Sequence, residues 1–317
     1  MKKKILIAGI NNFLGFHLAL KLSEKFDVIG TLSKDIKKYN LLEKFRIRVL
    51  KKKITLIKYN VFKDNIKKII ITYSPNIWIH NISISKNWKE KKFNVKKNIN
   101  VASKNLEKII PELKKNNCEL FIFSGSSEEY PRKKNILYEK ILQPPDNNYG
   151  KMKFLLSKKI LVLCRQNTLN CAIIRLFSPY GLLDKETKVI SKINTKKNKI
   201  KIENINIERN FTFINDVVNG YLQIIKFFKK KKQYKIFNLA NPNKIKLFDI
   251  LKKWNDINKK KIKIFSSHKK GLDKFYYGKP SLKSNKSIKN VYTNIEDSIK
   301  IMNKQKNSVF KDYYENL

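Results

Sequence analysis

A chain of 317 residues that is 42% apolar can bury one large core, or one core with a smaller appendage. No apolar run approaches the roughly 18 residues of a membrane span, and Cys118, Cys164 and Cys171 lack C-x-x-C spacing, so a membrane helix and a disulfide framework are excluded and a reducing, cytoplasmic setting is predicted. The 71 Lys and Arg against 25 Asp and Glu leave a net charge of +46, but the lysines run from Lys2 to Lys311 without gathering, which predicts nonspecific attraction to polyanions rather than a nucleic-acid site.

The opening MKKKILIAGINN has too brief an apolar run for a signal-peptide core, and residues 5–8 read as a first strand. Residues 14–26 read as a helix and 27–31 as the second strand; 54–57 and 77–80 read as the third and fourth. A helix is expected over 98–113, a fifth strand over 120–123, a helix over 149–164 and a sixth strand over 172–175. Strands this uniformly apolar are covered on both faces, and their alternation with helices predicts an α/β fold with a Rossmann-type doubly wound parallel sheet. After Tyr180 the pattern loosens into a basic loop over 196–201, a strand and helix over 211–228, a late strand over 237–240, and short helices with loops. We therefore expect a domain over 1–178 to which 211–240 return, and a smaller C-terminal lobe built from 179–210 and 241–317.

Gly9 and Gly15 bound a G-x-x-G-x-x-G frame between the first strand and the first helix, with Asn12, Phe13 and Leu14 inside it. Such a turn lets backbone amides approach a pyrophosphate at the helix N-terminus. Asn12 holds the middle position, where Asn tolerates left-handed backbone better than most residues. The alternative is an ordinary strand–helix turn with two glycines. The second strand ends at Gly30 to Lys34 without the carboxylate that would bind the ribose hydroxyl of NAD. Ser33 and Lys34, with Lys37 or Lys38 behind them, suit a 2′-phosphate, which favours NADP over NAD.

Tyr149 and Lys153 stand four apart at the head of a helix, a spacing that puts both on one face. In so lysine-rich a chain the spacing alone is more readily an aromatic beside a surface lysine. Context reverses that weighting. The fifth strand runs into Phe123-Ser124-Gly125-Ser126-Ser127-Glu128-Glu129-Tyr130-Pro131, Asn148-Tyr149-Gly150-Lys151-Met152-Lys153 follows about twenty residues on, and the sixth strand runs into Arg175-Leu176-Phe177-Ser178-Pro179-Tyr180-Gly181. With the glycine turn, this order resembles the extended short-chain dehydrogenase/reductase family of nucleotide-sugar epimerases, dehydratases and reductases. Asn60-Val61, His80-Asn81-Ile82-Ser83, Asn98, the segment from Arg209 to Val218 and Phe237-Asn238-Leu239-Ala240 resemble further family segments.

The resemblance implies an NAD(P)-dependent enzyme, with Tyr149 as acid/base, Lys153 tuning it, Ser126 orienting the reacting oxygen and Asn98 supporting the site. It further implies that Gly9, Asn12, Phe13, Leu14, Gly15, Ser33, Lys34, Asn60, Val61, Asn98, Tyr149 and Lys153 serve the cofactor, and Ser126, Ser178 and Arg209 the nucleotide sugar. The second lobe would close on that sugar nucleotide, and the helices over 98–113 and 149–164 would form a homodimer. The expected reaction is 4-epimerisation or 4-keto reduction in making a surface-polysaccharide (O-antigen-type) sugar. Ser126-Ser127-Glu128 also resembles the family's 4,6-dehydratases, in which a Glu at the position of Glu128 takes a proton from C5, although Glu129 adjoins it. A non-catalytic relative that binds RNA or a protein partner is the alternative from another class. The intact Ser126, Tyr149 and Lys153 speak against it.

Overall fold

The structure is a computed structural model that describes residues 2–62, 64–82, 93–131, 136–193, 199–202, 204–228, 233–259, 262–266, 277–279 and 292–315. Strand β1 (Lys4–Ala8) leads into α1 (Phe13–Leu22), then β2 (Asp27–Leu32), α2 (Leu41–Lys51), β3 (Thr55–Lys58), α3 (Ile66–Tyr73) and β4 (Ile77–His80). Next come α4 (Val95–Lys115), β5 (Leu120–Ser124), the short β6 (Ile136–Leu137), α5 (Asn148–Gln166) and β7 (Asn170–Leu176). Short pieces follow: β8 (Pro179–Tyr180), α6 (Val189–Ile193), β9 (Lys199–Ile202), β10 (Glu208–Arg209), β11 (Thr212–Phe213), then the longer α7 (Ile214–Phe227). The remainder is β12 (Tyr234–Leu239), β13 (Ile245–Lys246), α8 (Leu247–Asn258), β14 (Lys263–Ser266), β15 (Tyr277–Gly278), α9 (Ile295–Lys306) and α10 (Lys311–Glu315).

Seven strands form one parallel sheet in the order β12-β7-β5-β4-β1-β2-β3. Successive side chains of a strand face opposite ways, and here each way meets a core. Ile5 and Ile7 of β1 join a core with Phe16 of α1, Phe45 of α2 and Val217 of α7. Leu6 and Ala8 join a second core with Ile70 of α3, Leu106 of α4 and Met152 of α5. Trp78, Phe121 and Phe123 point into that second core, while Ile79 and Ile122 point into the first. This two-sided covering is why the strands read as unbroken apolar runs. The order reverses between β1 and β4, and the crevice beyond their carboxyl ends is where such folds bind ligands.

Three expectations change in detail. The helix expected over 14–26 stops at Leu22, because Ser23 caps it and residues 24–26 turn back toward β2. The helix expected over 98–113 starts at Val95, where the Asn94 side chain accepts from the Lys97 amide. Of the basic loop expected over 196–201, residues 199–201 belong to β9, which pairs with β14, and 196–198 lie outside the described residues, as does Ser83. Cys118, Cys164 and Cys171 are free thiols in the core. Among the described residues no helix is long and apolar enough to cross a membrane.

Candidate active site

The turn after β1 is built by close contacts. Gly9 has a φ of +86°, and a Cβ there would lie 2.6 Å from Ile82 Cγ2 and 2.7 Å from the Asn81 carbonyl. A Cβ on Gly15 would lie 2.3 Å from the Gly9 carbonyl, so α1 can pack against β1 only with glycine here. Asn12 corrects the expectation made for it. Its backbone is extended (φ −80°, ψ 168°), so tolerance of left-handed backbone is not what it supplies. Its side chain works instead: Oδ1 accepts from the Gly15 amide at 2.8 Å and caps α1, while Nδ2 donates to the Asn81 carbonyl at 2.8 Å. Asn81 donates back to Asn12 Oδ1, also at 2.8 Å, which ties the exit of β4 to the turn.

The opposite wall is the head of α5. Asn147 accepts from the Gly150 amide at 2.7 Å and donates to Glu128 Oε2 at 2.8 Å, joining the helix to the turn after β5. A Cβ on Gly150 would stand 1.9 Å from the Glu128 carbonyl, so glycine lets the two segments touch. Lys153 is 4% exposed, donates to the Ser124 carbonyl at 2.8 Å and lies over the Phe123 ring. Burial pulls its pKa down to about 8, against the opposing pull of Glu129. The lysine is therefore not a surface lysine, and Tyr149 stands one helical turn before it. The Ser124 hydroxyl pairs with Tyr221 at 2.8 Å. Ser126 accepts from the Glu128 amide at 3.2 Å, and its own amide donates to Glu129 Oε1 at 2.9 Å. Glu129 is fully buried and bound to Arg175 and Ser157, so it belongs to the scaffold, whereas Glu128 is half-buried.

A groove of about 540 Å3 runs between these walls. Of the residues expected to serve the cofactor, Gly9, Asn12, Phe13, Leu14, Ser33, Asn60, Val61, Tyr149 and Lys153 line it. Gly15 lies behind the turn, in contact with Gly9. Lys34 is not in the lining; its ammonium sits 4.4 Å from the centre of the Tyr39 ring, beside a separate groove along β3. Asn98 (first turn of α4), Ser126 and Glu128 (beyond Gly125), Ser178 and Arg209 are also outside the lining. Ser178 has a φ of +38° between β7 and β8, and Arg209 is on β10, paired with β13. The sequence reading missed Thr31, Asn81 and Lys185 as lining residues. Asn81 was within reach as the residue after an apolar strand, but nothing local marks Lys185.

Residues 5–240 match the NAD dependent epimerase/dehydratase family. The chain belongs to that family. A curated relative, an uncharacterized protein of Methanocaldococcus jannaschii, is 26% identical over 288 residues, covering 83% of each chain. Among solved structures the chain is similar to UDP-glucuronic acid 4-epimerase from Bacillus cereus in complex with UDP-glucuronic acid and NAD. The TM-score is 0.81 at 18% identity, covering 96% of this chain and 99% of that one. It is also similar to UDP-glucose 4-epimerase from Thermotoga maritima with UDP-glucose, with a TM-score of 0.77 at 16% identity, covering 97% and 99%.

The residues present fit the NAD of this epimerase/dehydratase family. A Cβ-free cradle at Gly9 and Gly15 brings backbone to the head of α1, and two lysines line a groove in which no carboxylate appears among the described residues. Two histidines beside it are held neutral. Burial pulls His17 down to about 4, and burial with Lys153 pulls His80 down to about 3. The unfolded chain therefore binds protons below pH 6.5 that the folded chain refuses, so stability falls with pH through that window. For His17 the drop from 6.5 to about 4 is worth about 3 kcal/mol between pH 7 and pH 4. Urea unfolding across that range should show the loss, and His17→Gln should remove the His17 share while that of His80 persists; an unchanged slope would mean that His17 is not a source.

Proposed function

We propose that this family member is an NAD(P)-dependent nucleotide-sugar 4-epimerase or 4-keto reductase, working in the assembly of a surface-polysaccharide sugar. The observation that carries the reading is Tyr149 on the groove wall one helical turn from a buried Lys153 of lowered pKa. Bound nicotinamide supplies hydride acceptance or donation at sugar C4. Tyr149 takes the proton from the C4 hydroxyl, or returns it, as the hydride moves. A phenol near pKa ~10 is a weak base at pH 7, and the Lys153 ammonium favours its phenolate. That ammonium has three donors. One is fixed on the Ser124 carbonyl, which aims the charge into the groove. Ser126 orients the reacting oxygen, Asn98 supports the site, and Ser178, at the end of the first domain, meets the nucleotide sugar together with Arg209 from the lobe of 179–210 and 241–317. That the similar Bacillus cereus protein holds UDP-glucuronic acid and NAD supports this substrate class. NADP is favoured over NAD because Ser33 faces the groove without an accompanying carboxylate, and Asp35 is taken by Lys58 at 2.8 Å. A homodimer through α4 and α5 is part of the reading, supported by exposed Val101, Leu155 and Val162 on those helices.

A 4,6-dehydratase is the second reading, favoured by Glu128, which Asn147 holds at the head of α5 close to Tyr149. The deciding experiment scans purified protein for retained nicotinamide, then offers UDP-, GDP-, CDP- and dTDP-sugars. Turnover without added cofactor indicates the epimerase, and a 4-keto-6-deoxy product indicates the dehydratase. NADPH consumption only with a 4-keto sugar indicates the reductase. Absence of any dinucleotide binding would overturn the enzyme reading and bring forward the non-catalytic RNA- or protein-binding alternative.

A further inference from the structure

The segment after β8 is held more firmly than a surface connection requires. Leu183 has a φ of +59°, a left-handed backbone that a branched apolar residue rarely adopts. Three side chains from distant elements hold it there. The His17 ring on α1 donates from Nε2 to the Leu182 carbonyl at 3.0 Å. Arg46 on α2, only 2% exposed, donates from Nε to the Leu183 carbonyl at 3.0 Å, adds a second bond there from Nη2, and donates from Nη1 to the Asn11 carbonyl at 2.8 Å. The Leu183 amide donates to the Tyr314 hydroxyl of α10 at 3.0 Å. A strained conformation persists only where its surroundings over-determine it, and such positions cluster at functional sites. Arg46 is an unusual tie, because a buried guanidinium here spends its donors on two backbone carbonyls, one in the glycine turn and one in this segment. Asn11 also donates to Glu43 Oε1 at 3.0 Å, so α2 grips the turn twice.

The pinned segment delivers the exposed Lys185 to the lining of the groove, which Asn11, Asn12 and Phe13 share, and also to that of a neighbouring groove beside α2. Its amide donates to Asp184 Oδ1 at 2.7 Å, which fixes the backbone at this lining residue. With Lys153, Lys185 is one of the two cationic residues of that lining among the described residues. We propose that Lys185 is a phosphate contact for the bound dinucleotide, closing over the pyrophosphate at the head of α1, and that Arg46 and His17 are positioning residues for it. This rests on the dinucleotide reading above and extends it to a residue more than 150 positions away from the glycine turn.

The test is the affinity of NAD and NADP, measured by titration calorimetry on protein stripped of retained nucleotide, for wild type, Lys185→Gln, Lys185→Arg and the control Lys158→Gln. Lys158 is exposed on α5 and outside the groove lining, so its substitution removes one charge without touching the groove. Lys185→Gln should weaken NAD and NADP alike by about tenfold, with a shallower dependence on salt. Lys185→Arg should stay within about twofold, and Lys158→Gln should match wild type. Equal binding by wild type and Lys185→Gln overturns the proposal, as does an equal loss in Lys158→Gln. A loss confined to NADP overturns the pyrophosphate assignment. If wild type binds neither dinucleotide, the cofactor reading itself fails, whereas binding without a loss at Lys185 sinks only this inference.

Discussion

Replacing Tyr149 by Phe is expected to lower kcat by about a hundredfold to ten-thousandfold, the range of a positioned proton-transfer group, while NAD or NADP still binds. The substitution removes one oxygen from a side chain on the groove wall and leaves the ring that packs with the core behind it. A drop in kcat with unchanged dinucleotide affinity would support proton transfer by the phenol. Loss of binding with residual turnover intact would refute it. Lys153 gives the same site a pH signature. Its ammonium is lost above its depressed pKa of about 8, so kcat/KM should fall on the alkaline side of pH 8. Lys153→Met should remove that limb together with most of the activity. A limb that survives the substitution would belong to another group.

Removing the Glu129 carboxylate should destabilise the fold more than any surface change. Glu129 is fully buried and accepts from Arg175 Nε at 3.0 Å, Ser157 Oγ at 2.8 Å and the Ser126 amide at 2.9 Å. Arg175 is 1% exposed, lies over the Tyr130 ring, and its Nη1 has no hydrogen-bond partner among the described residues. Breaking a buried pair by removing one partner costs about 3–5 kcal/mol, because the other charge stays buried. Glu129→Gln should lose stability in that range by urea unfolding at pH 7. The double variant with Arg175→Met should recover part of it, since the two residues share one network. A loss below about 1 kcal/mol would mean that the pair holds little. The substitution should also slow turnover, because Glu129 fixes the Ser126 backbone.

Sheet and glycine turn were legible because their causes are local. A strand covered on both faces must be apolar at every position, so β1, β4, β5 and β7 announce themselves as short runs such as Ile77 to Ile79. Helix α2 was missed although its signal was there: Asn40 and Glu43 form a capping box, with the Asn40 side chain accepting from the Glu43 amide at 2.9 Å. The face of α2 that meets the core is Phe45, Ile47 and Leu50 with Leu42 and Val49 packed beside them, and Lys44, Arg46 and Arg48 interrupt that face in the sequence.

The site divides in the same way. Tyr149 and Lys153 could be paired from sequence, because a helix sets the geometry of i and i+4 whatever surrounds it. That Lys153 is buried and lowered in pKa could not, because Phe123, Ser124 and Glu129 come to it from the turn after β5. Glu128 and Glu129 are adjacent in the chain, and only the packing of Arg175 and Ser157 separates a scaffold carboxylate from one left at the groove's edge. Lys34 and Lys185 exchange places for a related reason. A lysine has a long, flexible side chain whose direction is set by what it meets, an aromatic ring for Lys34 and the open groove for Lys185. By itself the sequence determined which residue types recur at which periods, and so the family and the parallel sheet. The tertiary structure alone decided which charges are buried and which segments meet, because desolvation and contact depend on residues distant in the chain, from 28 positions apart for Ser157 and Glu129 to 137 for Arg46 and Leu183.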